Sequence, residues 1–111
     1  MRSDPERLLD ILDACDRVLP IVARGEEHVR TGDEAQLALV HLIQNIGEAA
    51  ARLTPEFREA HDDIPWRQAA AMRNQVVHRY FDIDLDAVWS AATTDVPRLA
   101  EQVRRILDET S

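Results

Sequence analysis

The chain has 111 residues, 31% of them charged, and a formal net charge of −8 at pH 7. That length fits a single domain, residues 1–111, with a modest core. The charge excludes broad electrostatic adhesion to nucleic acid or acidic membranes, so any phosphate chemistry must use a local pocket.

One cysteine, Cys15, excludes an internal disulfide and a cysteine-based zinc site. No apolar run approaches the roughly 18 residues of a membrane span, and the N-terminus lacks a signal-peptide pattern. A cytoplasmic protein with no membrane partner is therefore expected.

Every segment reads as helix. Asp4-Pro5-Glu6 is a start signal, with Asp4 as the cap and proline where its missing N–H costs nothing. Leu8, Leu12, Cys15, Leu19 and Val22 then recur at helical steps and predict the buried stripe, with Cys15 as a small core residue. Pro20 should weaken the last turn, and Gly25 should stop the helix.

A second helix is expected from Thr31 or Asp33 to Leu53. Its apolar residues, from Leu37 to Leu53, cover more than one face, which predicts a central helix with several neighbours. That is more apolar surface than one small bundle covers, so an interface between copies is also expected. Gly47 reads either as a point of close backbone approach or as a glycine simply tolerated, at about 1 kcal/mol against alanine. Thr54-Pro55-Glu56 opens a short third helix that ends near His61 to Asp63.

Pro65 opens a fourth helix, expected to end close to Tyr80. Asp82 to Asp86 looks like a break with a new acidic N-terminus. The last helix should then run from Asp84 to Asp108, bent at Pro97. Trp66 and Trp89 are expected in the core or an interface. The whole predicts an all-α fold, a four- to five-helix antiparallel bundle.

The chemistry concentrates in one stretch. Acidic residues outnumber basic ones 21 to 13, yet from Trp66 to Phe81 there are three arginines and no acid. Within it, Arg73, Asn74, His78 and Tyr80 lie on one broad face if the helix continues at about 100° per residue. Arg73 and His78 would not touch within one ideal helix. Two copies of the helix facing across a two-fold axis would set both pairs around one groove.

Arginine is a permanently charged fork that fits phosphate oxygens, and histidine exchanges protons near neutral pH. Asparagine can orient the imidazole or bond a phosphate. No carboxylate cluster for magnesium stands close by in sequence. These groups suit attack by a ribose 2′-hydroxyl on its neighbouring phosphate without metal or cofactor, a route that RNA has and DNA lacks. The competing reading is that an arginine and a histidine near a helix C-terminus only complement the dipole.

A polar stripe of His41, Gln44, Asn45 and Glu48 marks the second helix. It is either the solvent face or a support in which Glu48 orients Arg73 or His78. His28 and His61 receive no role.

The run from Met72 to Asp84 contains Arg, four residues, His, one residue, Tyr, followed by Phe81-Asp82. It resembles the signature of the HepT-like branch of HEPN domains, in which an asparagine commonly follows the arginine, as Asn74 does here. Ile46-Gly47-Glu48-Ala49-Ala50 and Asp86-Ala87-Val88-Trp89 also resemble segments of that family. The resemblance implies an all-helical homodimer with the motif helices facing across a cleft. It implies an endoribonuclease toxin of a type VII-like toxin–antitoxin pair, with RNA as substrate and an MntA-like minimal nucleotidyltransferase as antitoxin. By the same resemblance Arg73 and His78 are catalytic, Asn74 assists, and Tyr80 receives AMP. The alternative is a non-catalytic nucleotide-binding or scaffold partner of the nucleotidyltransferase.

Overall fold

A computed structural model describes residues 2–78 and 82–110. Among them are seven α-helical segments: α1 Asp4–Val22, α2 Glu26–Thr31, α3 Asp33–Ala51, α4 Pro55–Ala60, α5 Trp66–Gln75, α6 Leu85–Ser90 and α7 Val96–Thr110. A π-helical turn, Ala91–Asp95, joins α6 to α7. The long elements α1, α3, α5 and the continuous α6–α7 rod form the bundle, and α2 and α4 are short links. No helix in the described residues is long and apolar enough to cross a membrane.

The start of α1 differs from expectation. Ser3, not Asp4, is the cap: its hydroxyl accepts from the Glu6 N–H while the Glu6 carboxylate accepts from the Ser3 N–H, a reciprocal capping box. Asp4 is freed to reach across the bundle, where its two oxygens accept from the Thr54 N–H (3.0 Å) and hydroxyl (2.7 Å). Thr54 follows the end of α3, so this contact pairs the start of α1 with the end of α3 and makes the two helices antiparallel. Thr54 also caps α4, accepting from the Phe57 N–H at 3.2 Å.

The buried face of α1 is Leu8, Ile11, Ala14, Cys15 and Val18. Leu19, expected in that stripe, is 48% exposed, because the stripe follows the inner face and turns away from it at this position. Helix α3 is central as expected. Leu39, Ile43 and Ile46 are fully buried, each stabilising the fold by about 1.5–3 kcal/mol relative to exposure. Leu37 is the exception and is exposed. The sequence reading missed α2, whose cap Gly25 has φ +101°, a conformation that side chains rarely adopt. Trp66 is buried, and its indole N–H donates to the His61 carbonyl at 3.0 Å.

At Pro97 the helix adapts by widening. Proline brings no N–H to the α register, and the turn before it opens so that the Val96 N–H reaches Ala91 rather than Ala92. The Thr93 hydroxyl donates to the Trp89 carbonyl at 2.6 Å in the same turn.

The largest departure concerns the motif. Helix α5 ends at Gln75, not near Tyr80. Val77 pairs with Ile83 as an isolated antiparallel bridge. The Asp84 N–H donates to the Val76 carbonyl (2.9 Å), and the His78 N–H donates to the Asp82 carbonyl (2.7 Å). Val76 keeps helical dihedrals as the C-cap of α5, and the chain becomes extended only at Val77, where it pairs with Ile83. His78 is therefore on a rung that closes the α5–α6 connection, and the expected helical line of Asn74 and His78 does not form.

Gly47 sets the approach of α3 to α5. A Cβ built there would lie 2.8 Å from the Arg73 Cβ, 2.9 Å from its N and 3.0 Å from the Ala70 carbonyl oxygen. Two of those three atoms are backbone and cannot yield cheaply. Elsewhere in a helix, glycine to alanine gains about 1 kcal/mol. Here the sign reverses: Gly47→Ala should lower the free energy of unfolding by about 1–2 kcal/mol, because overpacking outweighs that gain. Urea denaturation measures it, and a raised midpoint would mean that the helices part freely.

Cys15 is buried, and that burial pushes its thiol from 9.0 up to about 12. The neutral thiol favours the folded state, so this contribution is full below pH 9 and fades as pH climbs from there towards 12. At pH 8 the native protein should resist alkylation, with modification no faster than unfolding. Rapid labelling of folded protein, followed by mass spectrometry, would contradict the burial.

Candidate functional site

Arg73 lies in the last turn of α5, where a cation also complements the helix dipole. Because α5 approaches α3 at Gly47, the following residue, Glu48, meets the guanidinium. Glu48 Oε2 accepts from Arg73 Nη1 at 2.7 Å, and its Oε1 accepts from Arg52 Nε at 2.6 Å. Arg52 first, and then Arg73, hold the Glu48 carboxyl below its ordinary value of 4.5, so it is ionised at neutral pH. Two guanidinium groups thus share one carboxylate, and the cluster keeps a surplus positive charge.

Nη1 is the only Arg73 donor engaged among the described residues, and the side chain is 37% exposed. The rest of its fork meets no acceptor among the described residues. Arg73 and Asn74, with Gln44, Asn45 and Glu48 of α3, line a shallow open depression. Asn45 and Glu48 also border a larger groove between α1 and α3. The polar stripe of α3 is therefore solvent-facing and adjacent to Arg73 at once. Further along it, His41 and Asn45 are in contact at 3.1 Å.

His78 does not line that depression, and no hydrogen bond or ion pair joins it to Arg73 among the described residues. It has its own carboxylate. His78 Nε2 is 2.9 Å from Asp84 Oδ2, with the imidazole 65% exposed and the Asp84 side chain 30% exposed. Asp84 is the N-cap of α6, its Oδ1 accepting from the Ala87 N–H at 3.1 Å. That amide first, and then His78, hold the Asp84 carboxyl below its ordinary value of 3.8.

The structure thus joins Glu48 to Arg73 and not to His78. It sets Asn74 beside Arg73, and it separates His78 onto the rung. Tyr80 lies outside the described residues. Sequence reasoning missed Asp84 as a partner of His78. The available signal was an acidic cap directly before Leu85, but it points to the histidine only once the chain is known to turn back between them. His61 packs its ring on Phe57, with centroids 4.6 Å apart, which accords with a structural place.

The geometry can hold an anion at Arg73 and Asn74 and can move a proton at His78. Comparison with known proteins bears on which chemistry this is. The family model described as "Ribonuclease HepT-like" matches residues 11–106. A "Probable ribonuclease HepT" of Thermococcus cleftensis is 32% identical over 106 residues, 95% of this chain and 96% of its own. A "Gamma-glutamylcyclotransferase and putative RNase" of Methanocaldococcus jannaschii is 37% identical over 86 residues, 78% of this chain but 39% of its own length. A "Putative RNase" of Caldanaerobacter subterraneus is 38% identical over 72 residues, 65% of this chain and 64% of its own. The chain thus spans less than two thirds of these last two relatives. No solved structure matches it. The match over nearly its whole length, and over nearly the whole of the Thermococcus protein, means that this chain belongs to the HepT-like ribonuclease family.

Proposed function

We propose that this chain is a metal-independent endoribonuclease toxin that acts in the cytoplasm as a homodimer. Its partner in this reading is an MntA-like nucleotidyltransferase antitoxin. The observation that carries the reading is the state of Arg73. It is anchored through one nitrogen to Glu48, half-exposed, and beside Asn74, with its other donors unspent among the described residues. A guanidinium held this way is organised before substrate arrives and matches the charge that builds on a phosphate in the transition state.

In the reaction, the ribose O2′ attacks phosphorus as its proton passes to His78. The O2′–P bond forms and the P–O5′ bond breaks, and the departing O5′ takes a proton from water. The products are a 2′,3′-cyclic phosphate and a 5′-hydroxyl. Arg73 stabilises the added negative charge, and Asn74 bonds a phosphate oxygen or the sugar. Within one copy Arg73 and His78 occupy different elements, which is the reason for a cleft made by two copies.

Family membership and the names of the relatives support ribonuclease chemistry. The modification of Tyr80 rests on the resemblance of the motif. An AMP on that tyrosine would add negative charge near an anion site and repel RNA.

Purified protein should cleave RNA in EDTA and leave cyclic phosphate ends. His78→Ala should cost about 10²–10⁴-fold in rate, and Arg73→Ala at least about 10²-fold. Undiminished cleavage by either variant removes the mechanism. Nucleotide binding without any cleavage favours the scaffold alternative.

With ATP and the nucleotidyltransferase, intact mass spectrometry should find AMP added to the wild type and none to Tyr80→Phe. AMP retained by that variant would move the modified position elsewhere.

A further inference from the structure

Resting on the ribonuclease reading above, we propose that Asp84 is the positioning residue for His78 and that Nδ1, not Nε2, is the imidazole atom that exchanges protons with RNA.

The argument begins with the chain. Asp84 is fixed three times over. Its N–H donates to Val76, its carbonyl accepts from the Val88 N–H at 2.9 Å, and its Oδ1 accepts from the Ala87 N–H. Capping α6 thus takes one carboxylate oxygen and leaves Oδ2, which lies 2.9 Å from His78 Nε2. The histidine is fixed from its own side by the Val77–Ile83 bridge and by its N–H bond to Asp82. Ring and carboxylate therefore stand on opposite arms of one closed rung. The backbone bonds fix where the two side chains start, and the Nε2–Oδ2 contact itself orients the exposed ring.

The protonation state follows. An ionised carboxylate can only accept, so Nε2 must carry the hydrogen. A neutral imidazole has one N–H, which leaves the lone pair, and so the basic site, on Nδ1. Nε2 is also the only ring nitrogen of His78 with a partner among the described residues. The proton taken from the 2′-hydroxyl goes to Nδ1, and the resulting imidazolium is stabilised by the Asp84 charge across the ring.

A bland alternative exists for the same contact. An exposed His–Asp pair that merely closes a turn adds little, because solvent screens it. Asparagine separates the two. It caps a helix as well as aspartate, so Asp84→Asn keeps the α6 start while losing the charge and the obligatory acceptor.

Long-range ¹H–¹⁵N correlation spectra of the labelled full-length protein at pH 8.5, where an ordinary histidine is neutral, read the tautomer directly. The wild type should hold His78 as Nε2–H, and Asp84→Asn should lose that preference. On RNA, Asp84→Asn should lower kcat by about 10²-fold with KM unchanged and the thermal midpoint retained. Asp84→Ala should lose the midpoint as well. His78 as Nδ1–H in the wild type, or a kcat for Asp84→Asn equal to that of the wild type, overturns the proposal. The tautomer is read without RNA. A wild type that cleaves nothing therefore overturns the ribonuclease reading, while an Nδ1–H tautomer overturns this one.

Discussion

The close approach of α3 and α5 at Gly47 is the contact on which the site depends. With no side chain at that position, the two backbones come near enough that Glu48, one residue on, reaches Arg73. A methyl group would collide with the backbone of α5 rather than with a pliable side-chain tip. The ion pair itself adds little stability, since both partners are open to solvent. Its effect is orientation: it holds one nitrogen of the guanidinium and, among the described residues, leaves its other donors unspent.

A second constraint acts at the other end of the motif. The stretch from Trp66 to Phe81 has no acid of its own, and the structure supplies acids from elsewhere. Glu48 comes from α3 and Asp84 from the cap of α6. Arg73 and His78 are each met by a carboxylate whose position is set by its own element: the packing at Gly47 in one case, the first turn of a helix in the other. Arg73 stands on a rigid helix, and His78 on a short β rung. The separation of the two within a single copy is a consequence of the helix ending at Gln75.

Much of this was legible in the chain. The apolar spacing of α1 and α3, the Thr54-Pro55 start and the Asp84 start follow from local rules of burial and capping, and the structure has them. Gly47 stood out in the chain as one of two readings, close approach or tolerance, and the distances to Arg73 and Ala70 decide for close approach. The exit from α5 was not. Residues 76–78 carry no proline or glycine to stop a helix, and the stop comes from pairing with residues 82–84, which no local window contains. Ser3 displaced Asp4 as cap for a similar reason. Asp4 has a better partner in Thr54, fifty residues away in the chain.

The sequence by itself determined the helical class, the residue types available for chemistry and the family to which they belong, since these depend on periodicity and on a short contiguous motif. Tertiary structure alone decided which carboxylate serves which cation, and it took His78 off the helix that carries Arg73. Those outcomes are set by contacts between residues far apart in the chain, where packing and backbone hydrogen bonds outweigh local preference.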